Sequence, residues 1–323
     1  MRVCVAGAGA IGRTIAARLA ASGAEVSLLA RGAALDEIGA HGVRLDDTLG
    51  TVAPRVRVSA GAVFGVQDAV FLCSKAQDLP ALAETIQPLI GAETMLVPMV
   101  NGVPFWYFAG EGGRFDGSIV QSVDPGGAIL GALPARRVIG AVAFMNCEIM
   151  VSGMVVARTP HRIVLGEPHG GLSPRLHALC ATLEKAGIAA PAAKRIRDPL
   201  WLKIAGNVST NPLSVVSGAT LEEMFSRPDL LARLTAIMHE AMLTACCHGA
   251  RFTIDPIEIV ARGKALGPFR TSMLQDHQRG RPLELGAIGD AVVELGACYA
   301  LPMHATRAVL REARAAAISP CSR

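Results

Sequence analysis

Aromatic residues are scarce in this 323-residue chain, at 4 %. Hydrophobic residues still make up 51 %, so a core must be filled mostly by small and aliphatic side chains, which suits close helix packing. No C-x-x-C pair occurs among the eight cysteines, Cys4, Cys73, Cys147, Cys180, Cys246, Cys247, Cys298 and Cys321. They read as free thiols, several of them buried. No H-E-x-x-H or comparable spacing occurs among the eight histidines, and a metal site is not expected. Lys and Arg form no block, and a net charge of +4 spread along the chain disfavours nucleic-acid binding. No uncharged apolar run reaches about 18 residues, so a membrane span is not expected. The first apolar run begins too early for a signal peptide. The expectation is a cytoplasmic globular protein, long enough for two domains.

What is present first is a glycine turn. Val3–Ala6 reads as a buried strand, Gly7, Gly9 and Gly12 follow in G-x-G-x-x-G spacing, and Ile11–Ala21 continues as a helix. This strand–turn–helix context is the one a dinucleotide fingerprint requires. Gly7 permits the turn, Gly9 lets backbone N–H groups approach a pyrophosphate, and Gly12 lets helix and strand pack closely. The segment Gly7, Ala8, Gly9, Ala10, Ile11 and Gly12 is therefore the candidate phosphate cradle, at the positive end of a helix dipole. A second strand, Glu25–Ala30, ends where an NAD-type site carries an acid for the ribose. Arg31 stands there instead, and a guanidinium suits a 2′-phosphate, so NADPH is favoured. A ligand-free turn with a solvated arginine is the plain alternative. An S-adenosylmethionine site is a further one, disfavoured because it too wants an acid.

Strands and helices alternate onward: a helix at Ala33–Ala40, a strand at Ala69–Ser74, a helix at Leu79–Leu89, and a strand at Thr94–Met99 leading to Asn101-Gly102. The alternation predicts a doubly wound parallel sheet, whose ligands lie beyond the carboxyl ends of its strands. Lys75 and Asn101 follow two of those ends. They are candidate cofactor contacts, or else a solvated lysine and an Asn-Gly turn. Val138–Phe144, Met154–Thr159 and Arg162–Leu165 predict an antiparallel extension of the sheet. The turn-rich stretch from Gly166 to Gly171 suggests a boundary, giving residues 1–170 as a nucleotide-binding domain and 171–323 as a helical one. The tail from Ile318 to Arg323 has no apolar period and is expected to fray.

In the second half, Lys203, Asn207 and Asn211 are spaced i, i+4, i+8, which places all three on one helix face. Ile204, Ala205 and Val208 between them predict a largely buried helix, and Pro212 predicts a kink or an end there. A lysine and two amides suit an anionic, oxygen-rich ligand, and a desolvated lysine suits proton donation to a carbonyl. An ordinary solvated face would also fit, although asparagine is a poor residue for a helix interior.

Together, the glycine turn, Arg31, Lys75, Asn101-Gly102, the K-x-x-x-N-x-x-x-N-P-L-S run from Lys203 to Ser214, and the segment Thr271–Asp276 followed by Arg281–Glu284 resemble the ketopantoate reductase (2-dehydropantoate 2-reductase) family over essentially the whole chain. The resemblance implies a Rossmann-type domain with an all-α C-terminal domain, and NADPH-dependent reduction of a 2-oxo acid, 2-dehydropantoate by default. It implies Lys203 as general acid with Glu284 near it, and Asn207, Asn211 and Ser272 on the substrate's carboxylate and hydroxyl oxygens. It further implies Lys75 and Asn101 on the cofactor and Arg31 on its 2′-phosphate. A homodimer through the helical part is also expected. The chain departs from the family's usual E-I-D-A-x-N-G at Glu284–Asp290, where Gly286, Gly289 and Asp290 stand. Gln121–Gly127 and the aromatic run Phe105–Phe108 have no assigned role. Two other readings stay open: an (R)-2-hydroxy acid dehydrogenase for another 2-oxo acid, and a non-catalytic NADPH-binding sensor.

Overall fold

The computed structural model describes every residue except 253, 255–257, 260–262, 264–266 and 319–323, so Cys321 and the tail beyond Ile318 lie outside the described residues. Contacts divide the chain into unit 1 (residues 1–100, 105–119 and 126–196) and unit 2 (residues 101–104, 120–125 and 197–323). Among the described residues, the strands all belong to unit 1.

The buried apolar runs form a five-stranded parallel sheet. Its members are β1 (Arg2–Ala6), β2 (Glu25–Leu29), β5 (Arg57–Ser59), β6 (Ala69–Leu72) and β7 (Met95–Pro98), in the order β5-β2-β1-β6-β7. α1 (Ala10–Ala21) links β1 to β2 and α2 (Ala33–His41) follows β2. This order steps outward from β1 in both directions, as a doubly wound fold requires. The predicted helix at 79–89 is shorter: α3 (Leu79–Thr85) gives way to a 3₁₀ turn at Gln87–Leu89, with Pro88 inside it.

The expected antiparallel strands are present, but they pair in sheets of their own. β3 (Leu45–Asp47), β4 (Gly50–Val52), β9 (Cys147–Ile149) and β10 (Val155–Ala157) form one sheet, and β8 (Gly140–Phe144) and β11 (Arg162–Gly166) another. A single parallel bridge, Leu96 to Val138, joins the latter segment to the edge of the parallel sheet. The aromatic run is core: Phe105, Trp106, Tyr107 and Phe108 are all buried. The helices after β7 begin with the short α4 (Ala128–Ala132) and α5 (Pro174–Lys185). Leu176, Leu179, Cys180 and Leu183 of α5 lie in the same buried cluster as β1 and β11. Unit 1 therefore runs to residue 196 rather than ending at the expected 170, because α5 has its apolar face in that core.

Unit 2 is built on α6 (Arg197–Ser217), which packs against α7 (Leu221–Ser226), α8 (Pro228–Cys247), α9 (Ser272–Gln278) and α11 (His304–Ile318). A π-helical turn at Gly286–Asp290 leads into α10 (Ala291–Ala297). α6 does not end at Asn211 but continues through Pro212 to Ser217. The residues from Val208 to Val215 are all buried, and this packing outweighs the local preference at a pre-proline position. By length and composition α8 could cross a membrane, but Leu234, Ile237, Met238, Ala241 and Ala245 on one of its faces are buried, as in a core helix.

A buried ionic cluster fixes α1 to the small sheets. The Arg18 guanidinium pairs with Asp47, its Nε donating at 2.7 Å. His161 Nε2 lies 2.7 Å from the same carboxylate, and the Leu49 N–H donates to it at 2.8 Å. Burial pushes the Asp47 carboxyl up, but the hydrogen bonds from Arg18, His161 and Leu49 together outweigh it and hold it below the usual carboxylate range. Asp47→Ala would leave Arg18 buried and uncompensated, so denaturant titration at neutral pH should show a loss of about 3–5 kcal/mol. Asp47 contributes its stability above the ordinary carboxylate pKa and loses it as pH falls through its lowered folded value. The difference between wild type and variant should therefore shrink in acid.

Candidate active site

Unit 1 carries the glycine turn, and each glycine meets a different constraint. At Gly7, with φ +121°, a Cβ would lie 2.5 Å from the Cys73 carbonyl oxygen; at Gly12 it would lie 2.0 Å from the carbonyl oxygen of Gly7. These two positions are closed by backbone on both sides. At Gly9 nothing comes within 4 Å, and Gly9 is exposed as the N-cap of α1. The 12-residue helix has no side-chain cap and no acid in its first turn, so its N–H groups and dipole are offered outward. That combination fits a pyrophosphate. Ala8, Ala10 and Ile11 are half-buried around the turn.

Arg31 lies two residues beyond the end of β2 and is exposed. It makes no ion pair among the described residues, as suits a group held for an incoming anion. Lys75 follows β6 in extended conformation, half-buried, at the start of a 3₁₀ turn. Burial raises the pKa of the Cys4 thiol to about 11 and pushes that of Cys73, beneath the turn, up as well. Both are protonated at neutral pH and inert as nucleophiles.

Unit 2 carries the other candidates. Lys203, Asn207 and Asn211 sit on α6 at the predicted spacing; the first two are half-buried and Asn211 is buried. The back of α6 is held by Trp201, fully buried and stacked on His248 at 6.4 Å. Desolvation lowers the Lys203 pKa to about 8, against the opposing pull of the Glu284 carboxylate. The residue as a whole is half-buried, and desolvation is the larger influence on its ammonium. Glu284, 6 % exposed, stands two residues before the π turn. The structure thus brings Lys203 and Glu284 into one electrostatic unit, a pairing that no local spacing in the sequence reveals. Ser272 is the exposed first residue of α9.

Asn101 belongs to unit 2. The next residue, Gly102 at φ +85°, comes so close to the π turn that a Cβ would lie 2.2 Å from the Ala287 carbonyl oxygen, which also accepts the Val103 N–H at 2.9 Å. Single π turns occur often at functional sites, and here the turn that begins two residues after Glu284 docks the Asn101 segment. A further anchor escaped the sequence. The Glu294 carboxylate accepts the N–H groups of Gln121 and Ser122 at 2.7 and 2.8 Å and the Ser122 hydroxyl at 2.6 Å. An isolated glutamate 172 residues away gives no local signal.

Comparison with known proteins shows the family. The family model described as ketopantoate reductase PanE/ApbA matches residues 3–170, and its C-terminal model matches residues 195–317. The chain is 40 % identical over 321 residues, 98 % of each chain, to a protein of Mesorhizobium japonicum named 2-dehydropantoate 2-reductase. A crystal structure from Ralstonia solanacearum MolK2, assigned to the ketopantoate reductases, superposes with a TM-score of 0.93 at 36 % identity, covering 98 % of both chains. D-mandelate dehydrogenase with NADH and anilino(oxo)acetate shares the fold, with a TM-score of 0.83 at 20 % identity and 98 % of each chain covered.

Two glycine variants separate the cradle from the scaffold. Gly12→Ala should destabilise unit 1 by about 1–3 kcal/mol through overpacking. Gly9→Ala has room to fold unchanged, yet it should weaken dinucleotide binding tenfold or more by fluorescence titration. An unaltered affinity would remove the phosphate from Gly9.

Proposed function

Because the chain belongs to the ketopantoate reductase family, oxidoreductases acting on CH–OH groups, we propose that it reduces 2-dehydropantoate to (R)-pantoate with NADPH. The observation that carries this reading is the desolvated Lys203, its pKa drawn to about 8 while Glu284 favours its charged form. A lysine so placed keeps its proton at neutral pH and releases it more readily than a solvated one.

Backbone N–H groups of the turn from Gly7 to Gly12 would hold the pyrophosphate, Arg31 the 2′-phosphate, and Lys75 and Asn101 the remainder of the cofactor. When bound, NADPH supplies a hydride to the substrate's carbonyl carbon. The chain's own part is electrostatic. The Lys203 ammonium donates to the ketone oxygen, stabilises the charge developing there, and gives up its proton as the alcohol forms. The Glu284 carboxylate favours reprotonation of the amine. The amides of Asn207 and Asn211 and the hydroxyl of Ser272 would donate to the substrate's carboxylate and hydroxyl oxygens, fixing the ketone against Lys203.

A second reading keeps the mechanism and changes the substrate. The D-mandelate dehydrogenase fold match was obtained with a different oxo acid bound, so the fold does not choose the acid, and the residue after Leu285 is Gly286 rather than the family's usual Asp. The sensor reading is weaker, since nucleotide sensing requires no desolvated proton donor.

NADPH oxidation with a panel of 2-oxo acids tests the proposal. Fast turnover of 2-dehydropantoate alone supports it, and preference for another acid supports the second reading. With the preferred acid, kcat/KM should be level at neutral pH and fall tenfold per unit above about pH 8 as Lys203 deprotonates. A profile flat to pH 9.5 would remove Lys203 as the acid. Arg31→Asp should cost NADPH binding ~1.5–3 kcal/mol and spare NADH; an unchanged cofactor ratio would place the 2′-phosphate elsewhere.

A further inference from the structure

Two buried hydroxyls, that of Ser214 on the same face of α6 as Lys203 and that of Thr271, join the last turns of α6 to the start of α9. Ser214 is wholly enclosed and Thr271 nearly so, and their oxygens lie 2.6 Å apart. Their hydrogens follow by counting. The Ser214 hydroxyl donates to the Asn211 carbonyl at 2.7 Å, and Thr271 Oγ1 accepts the Leu274 N–H at 3.1 Å as the N-cap of α9. Each hydroxyl has one hydrogen. With that of Ser214 given to Asn211, Thr271 must donate to Ser214. One directional chain results, from Leu274 N–H through Thr271 and Ser214 to the Asn211 carbonyl, with every hydrogen used once. Such chains polarise and reinforce their members.

Both ends of the chain adjoin candidate substrate contacts. Asn211 is one terminus, and Ser272 directly follows Thr271. Pro212 has no N–H to give the preceding turn of α6, so the side-chain link steadies a stretch of helix that lacks one backbone bond. Ser214 has no exposed surface and cannot itself meet a ligand.

We propose that Ser214 and Thr271 are a positioning pair that sets the spacing of Asn211 and Ser272, and thereby the grip on the 2-oxo acid. This rests on the function proposed above. Ser214→Ala and Thr271→Val should each raise KM for the preferred 2-oxo acid about tenfold, while kcat and the KM for NADPH change less than twofold. The double variant should be no worse than the more affected single one, because the chain is broken once in each. Thr271→Ser keeps the hydroxyl and should restore the wild-type KM. Titration of the matching 2-hydroxy acid into the NADP⁺-loaded protein should show the same order without turnover. Lower melting temperatures with an unchanged KM for the oxo acid would overturn the proposal, as would Thr271→Ser behaving like Thr271→Val. If Thr271→Val does not fold, Ser214→Ala decides alone, since it leaves the α9 cap in place. Wild-type protein that turns over no 2-oxo acid would overturn the functional reading and this one together; active wild type with an indifferent Ser214→Ala overturns this one only.

Discussion

Surrounding an ammonium group with protein costs several kcal/mol unless a counter-charge and hydrogen bonds offset it, and unit 2 is arranged around that constraint. Lys203 stands on α6, the helix against which α7, α8, α9 and α11 pack. Burial supplies the desolvation that lowers its pKa, and Glu284 supplies the opposing charge that keeps it protonated near neutrality. The two influences act in opposite directions. Without burial the lysine would hold its proton more tightly; without the carboxylate it would hold it less tightly. Glu284 must therefore be held firmly, and the π turn that follows it is itself pinned by the Val103 N–H on the Ala287 carbonyl. The same contact docks the Asn101 segment, so the counter-charge of Lys203 and a candidate cofactor contact depend on one piece of packing.

Unit 1 answers to a backbone constraint instead. Gly7 and Gly12 are fixed by carbonyl groups at distances no Cβ tolerates, while Gly9 alone faces open space. The turn is rigid where it supports and bare where a phosphate would approach. The buried Arg18–Asp47–His161 cluster serves the same unit at a distance, holding the helix whose N-terminus is left uncapped.

Legibility in the sequence follows the range of the interaction. The glycine turn and the Lys203, Asn207 and Asn211 stripe are local patterns, set by strand, turn and helix periods, and they stand where those periods place them. Glu284 and Ser272 were reachable only through family resemblance, because their relation to α6 is tertiary. β3, β4, β5 and β9 are three residues long, too short for alternation to register. At Pro212 the local rule lost to burial, and at residue 170 a turn-rich stretch looked like a boundary because the apolar face of α5 gives no sign of which core it joins. The Ser214–Thr271 link and the Glu294 anchor are single polar residues far apart in the chain, invisible to any window.

The departures from the family pattern after Glu284 can be sorted on the same physical grounds. At Gly289 a Cβ would lie 2.2 Å from Leu310, itself buried, so the glycine is needed for α11 to pack closely. Asp290 pairs with Arg314 of that helix. These two departures match each other and the helix they touch, and they call for no explanation from the substrate. Gly286 differs: a Cβ there would meet only the Ser122 carbonyl oxygen, at 3.3 Å, and Ser122 is held in place by Glu294. Where relatives often place a carboxylate, this chain has a bare backbone beside an anchored loop. An aspartate at 286 would add an anion two residues along the chain from Glu284, and glycine leaves that charge out. Of the three departures, Gly286 is the one for which neighbouring packing supplies no reason.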